Sequence, residues 1–387
     1  MKNIFIKSAS VFVTIALLFS CSNSDNTDEA VVSKKAVIEN YANIAFANYT
    51  KAYDDAVVLK NTIATFTANP TNENFTAAKN QWKIARESYG TTEAFRFANG
   101  PIDDANGPEA LMNSWPLDEN YVDYVNGAAT SGIINATATY PVIDKNLLIT
   151  LNENGGEKNI SVGYHAIEFL LWGQDATAPA LNLPGQRPYT DYVVGGTAAN
   201  QTRRAAYLNV CAALLTDNLQ QVVNQWRVGG AYRTTFLGLD QNVALRNMYL
   251  GITTLVYAEL SIQRMDVPLG NADQEDEHSC FSDNTHRDII LNLQGVINVY
   301  QGQYGTVDGA SLEDLVNAKS STLGAATATS LNLSVSKVAA IRTPFDLAIS
   351  GGLSSTEGAK VRVAVLQLQD FGANLLAGAT SIGITVN

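Results

Sequence analysis

Apolar side chains recur at steps of three and four along the first long periodic stretch, at Val37, Tyr41, Ile44, Ala52, Ala56, Ile63 and Phe66, with Asn48 the one polar break. That spacing places them on one face, so residues 36–66 are expected to form a single long amphipathic helix. Asn69-Pro70-Thr71-Asn72 stops it and offers capping side chains to a second helix, whose stripe is Phe75, Ala78, Trp82, Ala85 and Phe95. Helical periodicity returns at about 160–172, 201–226, 242–265, 286–300, 326–350 and 357–379, with no βαβ alternation and no run of period-two strands. The expected class is all-α, built from helical bundles. Gly229-Gly230 is the best boundary. It leaves about four principal helices on each side and suggests two helical-bundle domains, 34–228 and 229–387, forming a pseudo-duplication. Between the second and third helices, residues 99–116 are rich in Gly, Pro, Asp and Asn, and form a long loop carrying Asp103, Asp104 and Trp115. Loops of that length in a helical domain are often functional.

The N-terminus changes the picture. Lys2 and Lys7 precede an apolar run from Val11 to Phe19, too short for a permanent membrane span and laid out like a secretory signal. Leu18-Phe19-Ser20-Cys21 resembles the bacterial lipobox, which implies cleavage after residue 20 and a lipid on Cys21. Residues 21–33 would then be a flexible tether, and the protein would sit lipid-anchored in a bacterial cell envelope, on the periplasmic side or the cell surface. The chain has 25 basic and 37 acidic side chains, a formal charge of −12. Nucleic acid is excluded as a partner, because phosphate backbones need a basic face. Removing residues 1–20 takes away two lysines and no acid, so the exported form is more acidic still. If Cys21 is acylated, Cys211 and Cys280 remain as two thiols, expected to be buried separately.

Three segments concentrate chemistry. In Gly163-Tyr164-His165-Ala166-Ile167-Glu168 the imidazole and carboxylate are three apart on a helix that is apolar on nearly every other side. Such a pair can share a proton or a metal ion, or can simply tie two helices together. From Trp82 to Asp104, the residues Arg86, Tyr89, Glu93 and Arg96 form a polar ridge among aromatic rings, and Glu93 and Asp103 are candidate oxygen ligands. The third segment, Asp273 to Asp288, holds His278 and His286 among six carboxylates and is expected to be an ordered loop packed against the other half, with Arg264 neutralising part of it. No H-E-x-x-H, G-x-S-x-G, P-loop or G-x-G-x-x-G occurs, so hydrolases of the familiar kinds have no local support.

Taken together, these segments resemble the imelysin family. Gly163, His165 and Glu168 match its G-x-H-x-x-E signature; Ala85, Arg86, Tyr89 and Glu93 match an early A-R-x-x-Y-x-x-x-E; Glu277, His278, Ser279, Phe281, Ser282, Asp283, Asn284 and Thr285 match a later Asp-rich segment. The resemblance implies two related bundles with the signature helix beside the groove between them. It also implies a metal site of His165, Glu168, Glu93 and Asp103, iron being favoured and zinc the alternative, together with iron-uptake components as partners. Gly90 departs from the pattern, since iron-transport relatives commonly carry a further Glu there. Two other readings use the same groove. A non-metal ligand would be bound by Arg96, Trp115, Tyr121 and Arg264, with Glu277, His278, Ser279 and His286 nearby. A metallopeptidase, the family label, would use Glu168 as ligand or general base.

Overall fold

A computed structural model describes residues 32–386, so the expected signal, Cys21 and the tether up to residue 31 lie outside the described residues. The apolar stripe of the first helix is buried throughout α1 (Lys34–Ala68), which Ser33 caps by accepting from Ala36 N–H. Asn48, the polar break, is buried too. Its side chain donates to Ser88 O at 3.2 Å and Thr91 Oγ1 at 2.8 Å, which fixes α1 against α2 (Asn72–Gly90). Thr71 caps α2 through Asn74 N–H, and α2 runs on into a tight 3₁₀ turn, Thr91–Phe95. The short α3 (Tyr164–Trp172) and the long α4 (Gln201–Trp226) complete this half, with α1 lying along both α2 and α4.

The second half holds α5 (Gln241–Thr254), α6 (Thr285–Gln301), α7 (Leu312–Lys319), α8 (Ser321–Ala339) and α9 (Thr356–Ser381). Two segments depart from the expected continuous helices. The helix expected over 242–265 is α-helical only to Thr254 and then widens into a π-helical stretch, Leu255–Asp266. The stretch 326–350 is not one helix: α8 ends at Ala339, and a break precedes the short helix Phe345–Ile349, because Pro344 brings no N–H and disfavours a helical residue before it. Residues 160–163 are also non-helical. The described strands are one two-residue hairpin, Gln303–Tyr304 with Val307–Asp308.

Residues 32–386 share one continuous apolar core running from Val37 to Ile384, and Gly229-Gly230 lies in the turn after α4. Among the described residues no helix is long and apolar enough to cross a membrane. The two halves touch where α6 crosses the end of α2. A Cβ at Gly90 would stand 3.0 Å from Leu291 Cβ, and Asn292 Nδ2 donates to Gly90 O at 2.9 Å. At Gly90, therefore, the missing side chain lets the helices touch, and a Glu there would run into Leu291.

Candidate functional site

The signature helix enters through a backbone shape that suits only glycine. Gly163 has φ +93°, and a Cβ on it would lie 2.6 Å from Met112 O, the atom that accepts from Tyr164 N–H at 2.8 Å. The long loop is thus pinned to the first residue of α3. Trp82 Nε1 donates to Tyr164 O and Tyr164 Oη to Ala85 O, which fixes α3 on α2. The helix is buried on all sides, so His165 and Glu168 have no solvent exposure. Their side chains meet, Nδ1 to Oε2, at 3.1 Å, and Glu168 Oε1 accepts from Ser282 N–H at 3.0 Å and Ser282 Oγ at 2.7 Å. Burial pushes the Glu168 carboxyl up to about 8, with the Ser282 bond pulling the other way. Burial, then the neighbouring His278 and Arg86, lower His165 well below the usual imidazole range. Burial thus favours the uncharged form of both groups.

A second imidazole from the other half faces the first. The rings of His165 and His278 have centroids 4.7 Å apart, and Trp115 covers both, at 5.1 and 6.4 Å. His278 Nδ1 lies 3.1 Å from Asp288 Oδ2 and 3.0 Å from an Arg86 Nη2. Arg86 also donates through Nε to Asp288 Oδ1 at 3.0 Å and through Nη1 to Asn113 Oδ1 at 2.5 Å, while Ser279 Oγ donates to Asp288 Oδ2 at 2.6 Å. Burial lowers His278 to about 3, helped by Arg264. Burial alone would raise Asp288, but Arg86, His278 and Ser279 hold it far below the carboxylate range.

Outward from this pair opens a cleft of about 530 Å³, lined by Arg96, Glu109, Asn113, Trp115, Glu259, Arg264 and His278 among others. Arg264 donates to Glu93 Oε2 at 2.6 Å, to Glu259 at 3.3 Å and to Asn292. Against the effect of burial, Arg264 and Arg96 keep Glu93 ionised. Arg96 stands 3.2 Å from Glu109, 3.5 Å from Glu259 and 3.8 Å from Asp103. Burial lifts Glu109 to about 7 in spite of Arg96. Glu259 and Arg264 both ride on the π-helical stretch, a distortion that recurs at functional sites because it re-aims side chains.

His165, Glu168, His278, Trp115, Arg264 and Glu93 therefore come together, with Arg96 at the mouth and Ser279 beneath His278. Other expected residues do not join them. Asp103 is half-exposed beside Arg96. Glu277 faces a separate group of acids. His286 turns its Nδ1 to Asp283 O at 3.1 Å, and Tyr121 donates to Leu151 O. Cys211 and Cys280 are free and buried. Glu93 and Asp103 are engaged by arginines rather than by the His165–Glu168 pair, and among the described residues no three His, Cys, Asp or Glu side chains are gathered as a metal cage. Each imidazole instead has its Nδ1 against a carboxylate, the arrangement that orients metal-bound histidines. His165 Nε2 is buried with no hydrogen-bond partner among the described residues. Asn113, Glu109, Ser282, Glu259 and the binding partner of Arg86, Asp288, were not singled out from sequence as site residues; Arg86 and Asp288 did sit in the two segments marked there, and the ion pair between them could have been sought.

The model of the imelysin (peptidase M75) family matches residues 45–375. The iron-regulated protein A of Synechococcus elongatus is 25% identical over 300 residues, covering 75% of this chain and 69% of that protein. A crystal structure from Parabacteroides distasonis, assigned as an iron-regulated protein A precursor, superposes with a TM-score of 0.67 at 18% identity, over 89% of this chain and 94% of that one. An imelysin-like protein from Psychrobacter arcticum gives 0.65 at 14%, over 92% and 96%. At such identities the two structures speak for the all-α fold alone. The family match spans all three chemical segments, from Arg86 through the G-x-H-x-x-E helix to Asp288, and the chain belongs to the imelysin family.

Proposed function

We propose that the protein is an exported imelysin that binds a transition-metal ion, iron first, or an iron-bearing ligand, at the inner end of the cleft through the imidazoles of His165 and His278, and that it serves iron uptake. One observation carries this reading: the buried, partnerless Nε2 of His165 beside the second ring. A buried polar atom left without a partner costs about 1–3 kcal/mol, and a bound cation would offset it. Burial disfavours the cationic form of both imidazoles, which leaves one nitrogen of each ring available as a donor, and nitrogen donors suit iron, with zinc the alternative. Glu168 and Asp288 then act as orienting groups on Nδ1, and Glu168 is a positioning residue rather than a ligand. Two nitrogens leave room for oxygens of the ligand itself, which the acidic and arginine-lined cleft would hold. The name of the Synechococcus relative supports a link to iron.

The test is titration of the metal-stripped protein with ferrous iron and zinc by calorimetry, beside a His165→Ala, His278→Ala variant. Wild type is expected to bind about one ion per chain and the variant at least roughly a hundredfold more weakly. Unchanged binding by the variant would overturn the site. No binding by wild type would favour the cleft as a module for a non-metal ligand, with Trp115, Arg96 and Arg264 as its contacts. Proteolysis of an unfolded chain, run with and without chelator, tests the peptidase label.

The membrane address is proposed from Cys21. Expressed in a bacterium that lipidates such sequences, wild type is expected in the membrane fraction, and Cys21→Ser in the soluble fraction with its fold intact.

A further inference from the structure

Away from the imidazoles, four carboxyl groups from three separate segments are buried together. Asp175 lies just beyond α3, Glu277 and Asp283 bracket the loop around Cys280, and Asp346 lies in the short helix after the α8 break. Their exposures are 4%, 1%, 9% and 3%. Asp175 and Asp283 stand close enough to share a hydrogen bond, and each of the four feels the charge or the hydrogen bond of at least one other. Lys83 and Arg342 act on the group from a distance, and neither forms an ion pair with it among the described residues. Oδ1 of the buried Asp346 has no hydrogen-bond partner among the described residues, and the Glu277 carboxyl has only the Thr285 hydroxyl within reach.

Buried charge of one sign with no counter-charge is held only by protons or by a cation. A proton can bridge Asp175 and Asp283, but it leaves Asp346 Oδ1 with nothing to accept from and Glu277 with the Thr285 hydroxyl alone. We infer that Asp175, Glu277, Asp283 and Asp346 form a site for a hard divalent cation, calcium first. The donors are all oxygen, three from loops and one from a single-turn helix, which suits the 6–8 ligands and flexible geometry of Ca²⁺ better than the rigid octahedron of Mg²⁺. Asp175 and Asp346 also line a surface cleft of about 450 Å³ with Asp273, Gln274 and Glu275, which gives an entry path. No three of these groups already stand at coordinating distance. Binding therefore draws the Asp175 loop, the Cys280 loop and the Asp346 helix together. Because Ser282, which holds Glu168, adjoins Asp283, this cation braces the imidazole site without being part of it.

The experiment is a calcium titration of the chelator-treated full-length protein at pH 7.5, read by calorimetry and by Tm, with magnesium in parallel. Calcium is expected to bind at about one ion per chain and to raise Tm by several degrees; magnesium should have a weaker effect. The Glu277→Gln, Asp346→Asn variant should lose the response, while His165→Ala, His278→Ala should keep it, which separates this site from the proposed iron site. If the double variant does not fold, Asp346→Asn alone serves, with weakened calcium binding expected. Absence of calcium binding by wild type at millimolar concentration, equal binding by the acid variants, or tighter binding of magnesium would each overturn the assignment.

Discussion

Replacing Arg86 with Met is expected to destabilise the protein by roughly 3–5 kcal/mol, the usual cost of breaking a buried ion pair from one side. Arg86 is 1% exposed and donates to two acceptors from separate segments, Asp288 and Asn113, with its Nη2 3.0 Å from His278 Nδ1. Methionine fills the volume, so the loss isolates the charge and its hydrogen bonds. Asp288 would keep Ser279 and His278 but lose the cation that holds it ionised. The sign of the pH dependence follows. A depressed carboxyl contributes stability that is present above its unfolded value near 4 and is lost as pH falls through the folded value. Denaturant melts of wild type should therefore weaken in acid below about pH 4, and the Arg86→Met protein should show a flatter acid limb. His278 adds a second, separable slope. Its value of about 3 gives stability present above pH 6.5 and lost progressively towards pH 3. That slope should survive in the variant, because burial is its first cause. Equal melts of wild type and variant at pH 7 would remove Arg86 from its place as the clamp between the halves.

How much of this was legible beforehand depends on the range of each interaction. The stripe of α1, the capping Thr71 and the unusual helix at His165 are local, and periodicity exposed them. Asn48 could be seen as a break but not as a cross-link, since its partners Ser88 and Thr91 lie some forty residues on, across a helix pair. The expected four-ligand metal set failed to gather for the same reason. Glu93 was an available carboxylate in sequence, and only folding brings Arg264 within 2.6 Å of it from 171 residues away. The π-helical stretch was invisible because its apolar positions also satisfy an α-helical pattern. The run 326–350 misled because Ala326, Ala328, Ala339 and Ala340 are good helix formers at both ends of α8, and Pro344, which follows the break, is its local signal. Gly163 stands out in sequence only as part of the signature, and its left-handed backbone against Met112 is the physical reason that only glycine suits the position.

The largest loss is expected at Asp123, a residue that no motif marks. Its side chain is wholly buried and accepts from Arg187 at 2.7 Å, from Arg204 at 2.6 and 3.0 Å, and from Asn135 at 3.2 Å. Burial would raise it, but the two guanidiniums hold it ionised. Asp123→Ala leaves both arginines buried, with only the more distant Asp191 carboxylate, 3.4 Å from Arg187, and backbone oxygens near them. Two buried pairs broken at once cost about 5 kcal/mol or more, allowing for non-additivity, against a total stability of about 5–15 kcal/mol for a typical domain. The variant should accumulate poorly and lose near-UV circular dichroism, and Asp123→Asn, which keeps the shape and one acceptor oxygen, should fall between it and wild type. The network also reaches the site. Arg187 N–H donates to Trp172 O at 2.8 Å at the end of α3, and its guanidinium lies 5.2 Å over the Phe169 ring. The helix that carries His165 and Glu168 is thus held at one end by Gly163 on Met112 and at the other by Arg187. Metal binding by Asp123→Asn should accordingly drop with the folded fraction while the affinity of the folded molecules stays near wild type. A variant that stayed fully folded but bound weakly would instead show that α3 shifts without unfolding, and that Arg187 sets the aim of His165 directly.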